Sequence, residues 1–255
     1  MQNSKKFTKI TLAILLATSA LTACNSEKQQ TNTQTNPVAS EATAKAEQGS
    51  PSLIADFQKR LDIYKEVTLS ADLSHLSNNQ KQMLSLLIDA SKIMDDLFWQ
   101  QAFSQDKQTF LASIKDEKVR RFAEINYGPW DRLDGDKVFL TQHKDKTHGA
   151  EFYPKDMTKA EFEQAALSGK DGLYSIISRN NEGQLITVAY SEMYSDEINR
   201  AAAILKKAAT FADDKEFANY LTMRANALRT DEYQASDLAW MDMKNNPIDV
   251  VIGPI

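Results

Sequence analysis

The sequence predicts a mostly α fold with a small β component, of the α+β class. Three observations carry that reading. Apolar residues recur three and four positions apart through 52–123 and again through the last third of the chain. Two β-like runs, Leu173 to Ser178 and Leu185 to Tyr190, flank the turn-rich stretch Arg179-Asn180-Asn181-Glu182-Gly183, which together predict a hairpin. The 255 residues are 42% hydrophobic and 25% charged with 8 Gly and 6 Pro, ordinary globular usage that excludes collagen-like and wholly disordered chains. A net charge of -5 argues against a nucleic-acid partner, which would call for a basic excess. A single cysteine excludes an intramolecular disulfide.

The first element is an address rather than part of the fold. Lys5, Lys6 and Lys9 precede an apolar run, Ile10 to Ala20, broken only by Thr11, Thr18 and Ser19. That run is shorter than the about 20 apolar residues a membrane-spanning helix needs. It ends in Leu21-Thr22-Ala23-Cys24, which resembles the lipobox of bacterial lipoprotein signal peptides. The resemblance implies that residues 1–23 are removed and that Cys24 is acylated, making the membrane a partner through that residue. An uncleaved anchor, or an ordinary secretory signal with a chance cysteine, is the alternative. A chain with no further cysteine suits an oxidising compartment. Asn25, where Asp would signal retention at the inner membrane, points by the same resemblance to the outer membrane. The expected location is therefore the bacterial cell envelope, facing the periplasm or the cell surface. Each buried CH₂ of an acyl chain contributes about 0.8 kcal/mol, so two or more chains give stable anchoring.

Asn25 to Ser50 contains no Leu, Ile, Met or aromatic residue. Such a segment cannot bury enough apolar surface to offset the entropy of ordering it, so 24–50 reads as the acylated cysteine and a disordered tether. Leu53, Phe57, Leu61 and Tyr64 then place a helix over 52–65. Ser77 is a candidate N-cap for a long helix over 78–103, whose apolar residues from Met83 to Phe103 occupy more than one side and predict burial between other elements. One or two shorter helices follow over 105–123. The stretch Tyr127 to Asp136 is rich in turn formers, Val138 to Leu140 is a short strand candidate, and 156–168 reads as a helix.

After the hairpin, Ile198, Ala201, Ala202, Leu205, Ala208, Ala209 and Ala212 make one helical stripe. Phe217, Tyr220, Leu221, Ala225 and Leu228 make a second, and Thr230 or Asp231 is a candidate cap for a third helix reaching about Lys244. The β-branched run Ile248 to Ile255 reads as a buried strand. Its abrupt end, without a polar tail, is expected to mark a chain cut short.

Catalytic signatures are missing from the sequence. It holds no H-E-x-x-H, no P-loop, no G-x-G-x-x-G, no G-x-S-x-G and no cysteine pair for zinc. His143 and His148 lie in a lysine-rich polar loop. A metal there would need Asp145 or Glu151 as a third ligand, with lysines opposing the cation, so a solvated loop is the favoured reading. Tyr127, Trp130, Tyr153 and Trp240 are candidates to line a cleft or, more simply, to anchor a core. Asp237, Asp242 and Asp249 read as solvated carboxylates, and Glu192, Asp196 and Glu197 as favourable charges near a helix start. No residue is assigned a catalytic, substrate-binding or metal-binding role.

Several blocks carry a resemblance. Asn126-Tyr127-Gly128-Pro129-Trp130-Asp131-Arg132, Gly149-Ala150-Glu151-Phe152-Tyr153-Pro154, Asp156-Met157-Thr158-Lys159, Ser236-Asp237-Leu238-Ala239-Trp240-Met241 and Asn246 to Ile255 resemble, in order, the amino-terminal part of bacterial proteins of the dipeptidyl peptidase III family. The resemblance covers roughly 52–255. It implies the leading part of a two-lobed zinc metallopeptidase fold, with a mostly helical lobe that carries the zinc. The other lobe contains a small β core, along which an oligopeptide substrate lies as an added strand. In the family the zinc ligands come from H-E-x-x-x-H and a downstream Glu-rich helix, and a Glu-x-Tyr segment contacts substrate. All of these fall beyond Ile255 in the family's order. The resemblance therefore implies zinc in the full-length protein and none bound by this chain, which alone is expected to be inactive. The competing expectation is a non-catalytic peptide-binding or structural envelope lipoprotein.

Overall fold

The computed structural model describes residues 51–254, with side chains from residue 56 onward. These residues fall within one compact unit, Ala46–Ile255. The signal segment, Cys24, the expected tether and Ile255 lie outside the described residues.

Helix α1 (Pro51–Leu61) begins on proline, whose missing N–H costs nothing at a first helical position, and ends with Lys59 and Arg60 in the last turn. It stops four residues short of the expected 65. Beyond it Ile63 and Val67 are both exposed and supply no packing to extend it.

Helix α2 (Asn78–Ala102) is capped as expected. The Ser77 side chain accepts from the Gln80 N–H while the Gln80 side chain accepts from the Ser77 N–H, a reciprocal capping box. The Ser77 hydroxyl also donates to Asp213 at 2.6 Å. The expected 105–123 region forms two helices, α3 (Lys107–Ser113) and α4 (Glu117–Ile125), capped by the Asp106 and Asp116 carboxylates.

Strand β1 (Trp130–Asp131) pairs antiparallel with β2 (Lys137–Val138), Trp130 opposite Val138. Val138 is the only one of the expected 138–140 residues in that strand. A 3-10 turn, Ala150–Phe152, leads to α5 (Lys159–Gln164), capped by Thr158. Helix α5 is much shorter than the expected 156–168, because the Lys170 ammonium takes the carbonyls of Phe162, Glu163 and Ala165 at 2.7–3.1 Å and closes the helix end.

The hairpin forms where the sequence places it. Strand β3 (Ser175–Arg179) pairs with β4 (Leu185–Ala189), Ile177 opposite Thr187. The Asn180 side chain accepts from the N–H groups of Glu182 and Gln184 and shapes the turn. Helices α6 (Tyr190–Met193), α7 (Ser195–Ala209), α8 (Lys215–Thr230) and α9 (Gln234–Asp242) complete the order. The expected cap of α9 is displaced. Asp231 instead terminates α8 with φ 59°, its carboxylate accepting from the Ser191 N–H at 3.0 Å, and α9 starts three residues later.

Two cores result. Helix α7 packs on both α2 and α8, and α8 on α9. The stripe Ile198, Ala201, Ala202, Leu205 and Ala208 is almost wholly buried against Leu221, Ala225 and Leu228 of α8 and Met83 to Leu97 of α2. The small alanines let the helix axes approach closely. The second core is aromatic, joining Phe57, Trp99, Phe103, Phe110, Phe122 and Trp130. Helix α2 enters both cores, which explains its apolar residues on more than one side.

The expected strand at Ile248 to Ile255 is absent over its described part. Residues 248–254 belong to no strand, and the chain bends at Ile248 and Gly253. Their inward side chains Ile248, Val250 and Ile252 rest on the helical core, while Asp249 and Val251 face outward. The alternation that reads as a strand is real, but a strand also needs a neighbouring chain to share its ladder, and helices supply only side-chain contacts.

Candidate functional site

The closing segment lies over a polar seam in the helical core. Arg224 stands on the apolar stripe of α8 and is only 6% exposed. It forms an ion pair with Asp237 of α9. Its guanidinium lies 5.5 Å from the Tyr220 ring and 5.3 Å from the Tyr233 ring, which offsets part of its desolvation. The Tyr220 hydroxyl donates to the Val250 carbonyl at 2.8 Å and fixes the segment at its midpoint. Gly253, at φ 155°, passes over Tyr233, where an added Cβ would come within 3.4 Å of the ring.

Burial pushes the Tyr220 and Tyr233 phenols above their ordinary range, with Asp231 adding to the effect at Tyr233. Both keep their protons at neutral pH, and the Tyr220 hydroxyl is the one that donates. The Tyr233 hydroxyl, the Arg224 Nε and one Asp231 oxygen are buried without a protein partner. On the outward side, the Trp240 indole donates to the Asp249 carboxylate at 2.7 Å, and Val251 is 63% exposed beside it. Among the described residues, no backbone–backbone hydrogen bond reaches 246–254. The segment has no ladder partner, though the Asn246 and Tyr220 side chains take its Ile248 and Val250 carbonyls. Its remaining backbone groups, with an indole alongside, suit pairing with an extended peptide.

The remaining candidates separate. The His143 ring is packed edge-on against Phe103 and Phe110 at 5.6 Å, and burial lowers its pKa. His148 lines an open groove with Asp145, and Glu151 pairs with Lys155 at 3.3 Å. Among the described residues no three His, Cys, Asp or Glu side chains converge in a way that could hold a metal.

Tyr127 and Trp130 are core anchors. Tyr127 donates to Asp95 at 2.5 Å and Trp130 to the Lys144 carbonyl at 2.9 Å. Burial opposes ionisation of Asp95, but hydrogen bonds from Tyr127 and Lys107 outweigh it and hold that carboxyl low. Asn126 and Asp131, both buried, tie the same block together. Asn126 accepts from the Arg132 N–H, and Asp131 accepts from Arg60 of α1. Tyr153 packs on Phe162 at 5.8 Å, away from the others. Asp242 and Glu192 are exposed, Asp196 and Glu197 occupy the first turn of α7, and Glu197 accepts from Gln100.

Sequence reasoning missed Arg224, Tyr220 and Tyr233 as a unit. A readable signal existed, since Arg224 interrupts the stripe Tyr220, Leu221, Ala225, Leu228 with a charge.

No family model matches the chain. It is 28% identical over 258 residues to Nudix hydrolase 3 of Arabidopsis thaliana, covering 77% of this chain and 33% of that protein. Among solved structures it resembles dipeptidyl peptidase III from Caldithrix abyssi, at 35% identity and a TM-score of 0.73, over 77% of this chain and 39% of that one. It also resembles dipeptidyl-peptidase III from Corallococcus sp. strain EGB, at 28% identity and a TM-score of 0.69, over 74% of this chain and 37% of that one. The chain thus spans well under half the length of each of these three proteins. Over the matched residues, the chain is dipeptidyl peptidase III-like in sequence and in fold.

Proposed function

We propose that the chain is the peptide-docking section of a membrane-anchored, zinc-dependent hydrolase of the dipeptidyl peptidase III type, acting on oligopeptides. The observation that carries this reading is the combined 35% identity and 0.73 TM-score to dipeptidyl peptidase III from Caldithrix abyssi. The closing segment gives it a physical basis. A peptide strand laid along 248–254 would satisfy the backbone groups that Tyr220 and Asn246 do not already take, and Trp240 and Val251 would contact its side chains. The described residues do not fit a zinc site, because His143 is half-buried against Phe103 and Phe110 and no cluster of three ligating side chains forms around it or His148. The part this chain plays in the reading is binding.

The test is fluorescence polarisation with a labelled tetrapeptide. Val251→Pro should weaken binding about tenfold, the equivalent of losing roughly one hydrogen bond, while Val251→Ala should bind as the wild type does. Equal affinity for wild type and the proline variant, with unchanged thermal midpoints, would overturn the docking edge.

Leu21-Thr22-Ala23-Cys24 supports the lipid anchor and the cell-envelope location. Cys24→Ser should abolish fatty-acid labelling and release the protein from the membrane fraction. Labelling that persists in this variant would remove the anchor from the proposal.

A further inference from the structure

A second apolar surface lies outside both cores. Tyr153, Met157 and Phe162 are half-buried, belong to neither hydrophobic cluster, and together floor a groove of about 600 Å³. That volume falls in the range of small-ligand sites. Its wall is built rather than incidental. Gly149, at φ 77°, lies directly on the Tyr153 ring, where a Cβ would fall 2.2 Å from a ring carbon. Only glycine permits that approach.

The charge around the groove is one-sided. Lys146, Lys155 and Lys159 line it and no carboxylate does, in a chain whose net charge is -5. Each lysine also meets an acid outside the lining, Asp136 at 3.0 Å, Glu151 at 3.3 Å and Glu163 at 3.7 Å respectively. Lys146 is half-buried against Asp136 and stays there, whereas Lys155, which also donates to Ser104 at 3.1 Å, and Lys159 are exposed. Surface pairs are weak, so a ligand anion can share these two ammonium groups. An apolar floor with a cationic rim selects a ligand that carries an anion beside a large apolar group.

The groove also continues. Residues 146–149 form a strap shared with a neighbouring groove of about 640 Å³, which is lined by Asp136 and Asp145 as well as Lys137. A lone small acid would fill only the first groove. An extended chain, at about 3.4 Å per residue, could end in the first and cross the strap into the second.

We propose that this groove binds the C-terminal residue of a peptide with a large apolar side chain and a free carboxylate. The side chain rests on Tyr153, Met157 and Phe162, and the carboxylate meets Lys155 and Lys159. This site is separate from the edge at 248–254 and does not depend on the peptidase reading.

The test is isothermal titration of the 255-residue chain with N-acetyl-Ala-Ala-Phe, its C-terminal amide, and 3-phenylpropanoate. The free acid should bind about tenfold more tightly than the amide, because charge-assisted hydrogen bonds are the stronger ones. Lys155→Gln combined with Lys159→Gln should remove that preference while leaving amide affinity unchanged. Both positions are exposed, so the double variant should keep its thermal midpoint. Phe162→Ala should weaken acid and amide alike. Equal binding of acid and amide to the wild type, or a preference that survives in the double variant, would overturn the proposal. Binding of 3-phenylpropanoate as tightly as the peptide acid would reassign the groove to free small acids.

Discussion

Arg224 shows how one charged residue can organise a core. Its guanidinium is buried among Tyr220, Tyr233 and the closing segment, and Asp237 supplies the opposing charge from another helix. Removing that partner leaves a buried cation without its acceptor. Asp237→Ala should therefore destabilise the fold by about 2 kcal/mol, read by urea unfolding, whereas Asp242→Ala should change it by about 0.5 kcal/mol or less. Equal effects at the two positions would show that the ion pair contributes nothing. Asp237 reads from sequence as a solvated carboxylate, and it is indeed half-exposed. Its role was hidden because the partner is thirteen residues away and only the α8–α9 packing unites them. Ser77 was legible because its cap is a local feature, complete within four residues.

Among the elements, the hairpin is tied to α5 through its last β3 residue. Arg179 meets Glu161 of α5 through both terminal nitrogens, at 2.8 and 3.0 Å, and Asp156 through Nε at 3.0 and 3.2 Å. Hydrogen bonds from the guanidinium hold both carboxyls below their ordinary range. A depressed carboxyl contributes stability above its unfolded pKa and loses it as pH falls. This tie therefore weakens on acidification. Arg179→Ala should speed amide exchange across 156–164 while leaving α7 and α8 protected. Unchanged exchange in that segment would mean that α5 is held by packing alone.

Periodicity revealed the hairpin and the long helices because each of them repeats its signal. It overextended α1 and α5, whose ends are set by lost packing and by the Lys170 side chain. It also read a strand at 248–255, where alternation is present and a neighbouring strand is not.

The whole molecule depends on α2, which contributes Met83 to Leu97 to one core and Trp99 to the other. Core membership was largely legible from apolar spacing, while the division into two cores was not, since it depends on α1 packing on α4 and on Trp99 of α2 joining their aromatic cluster. Several buried or half-buried phenols are spread over this body. Burial pushes Tyr127, Tyr190 and Tyr194 up to about 12, with the Asp95 hydrogen bond adding to the effect at Tyr127. Between the unfolded value near 10 and these raised values, the native state holds protons that the unfolded chain has released, so stability falls as pH rises. The urea midpoint should stay level up to about pH 9 and drop steeply between about pH 10 and 12. Tyr127→Phe should make that drop shallower. A midpoint independent of alkaline pH would contradict the burial of these phenols.

The lack of a backbone ladder at 246–254 has a consequence for handling the protein. A segment without a ladder partner, with Val251, Leu238 and Met241 exposed nearby, does not distinguish a peptide from a second copy of itself. Concentrated solutions should form edge-to-edge associates, and an oligopeptide that occupies the edge should keep the chain dispersed.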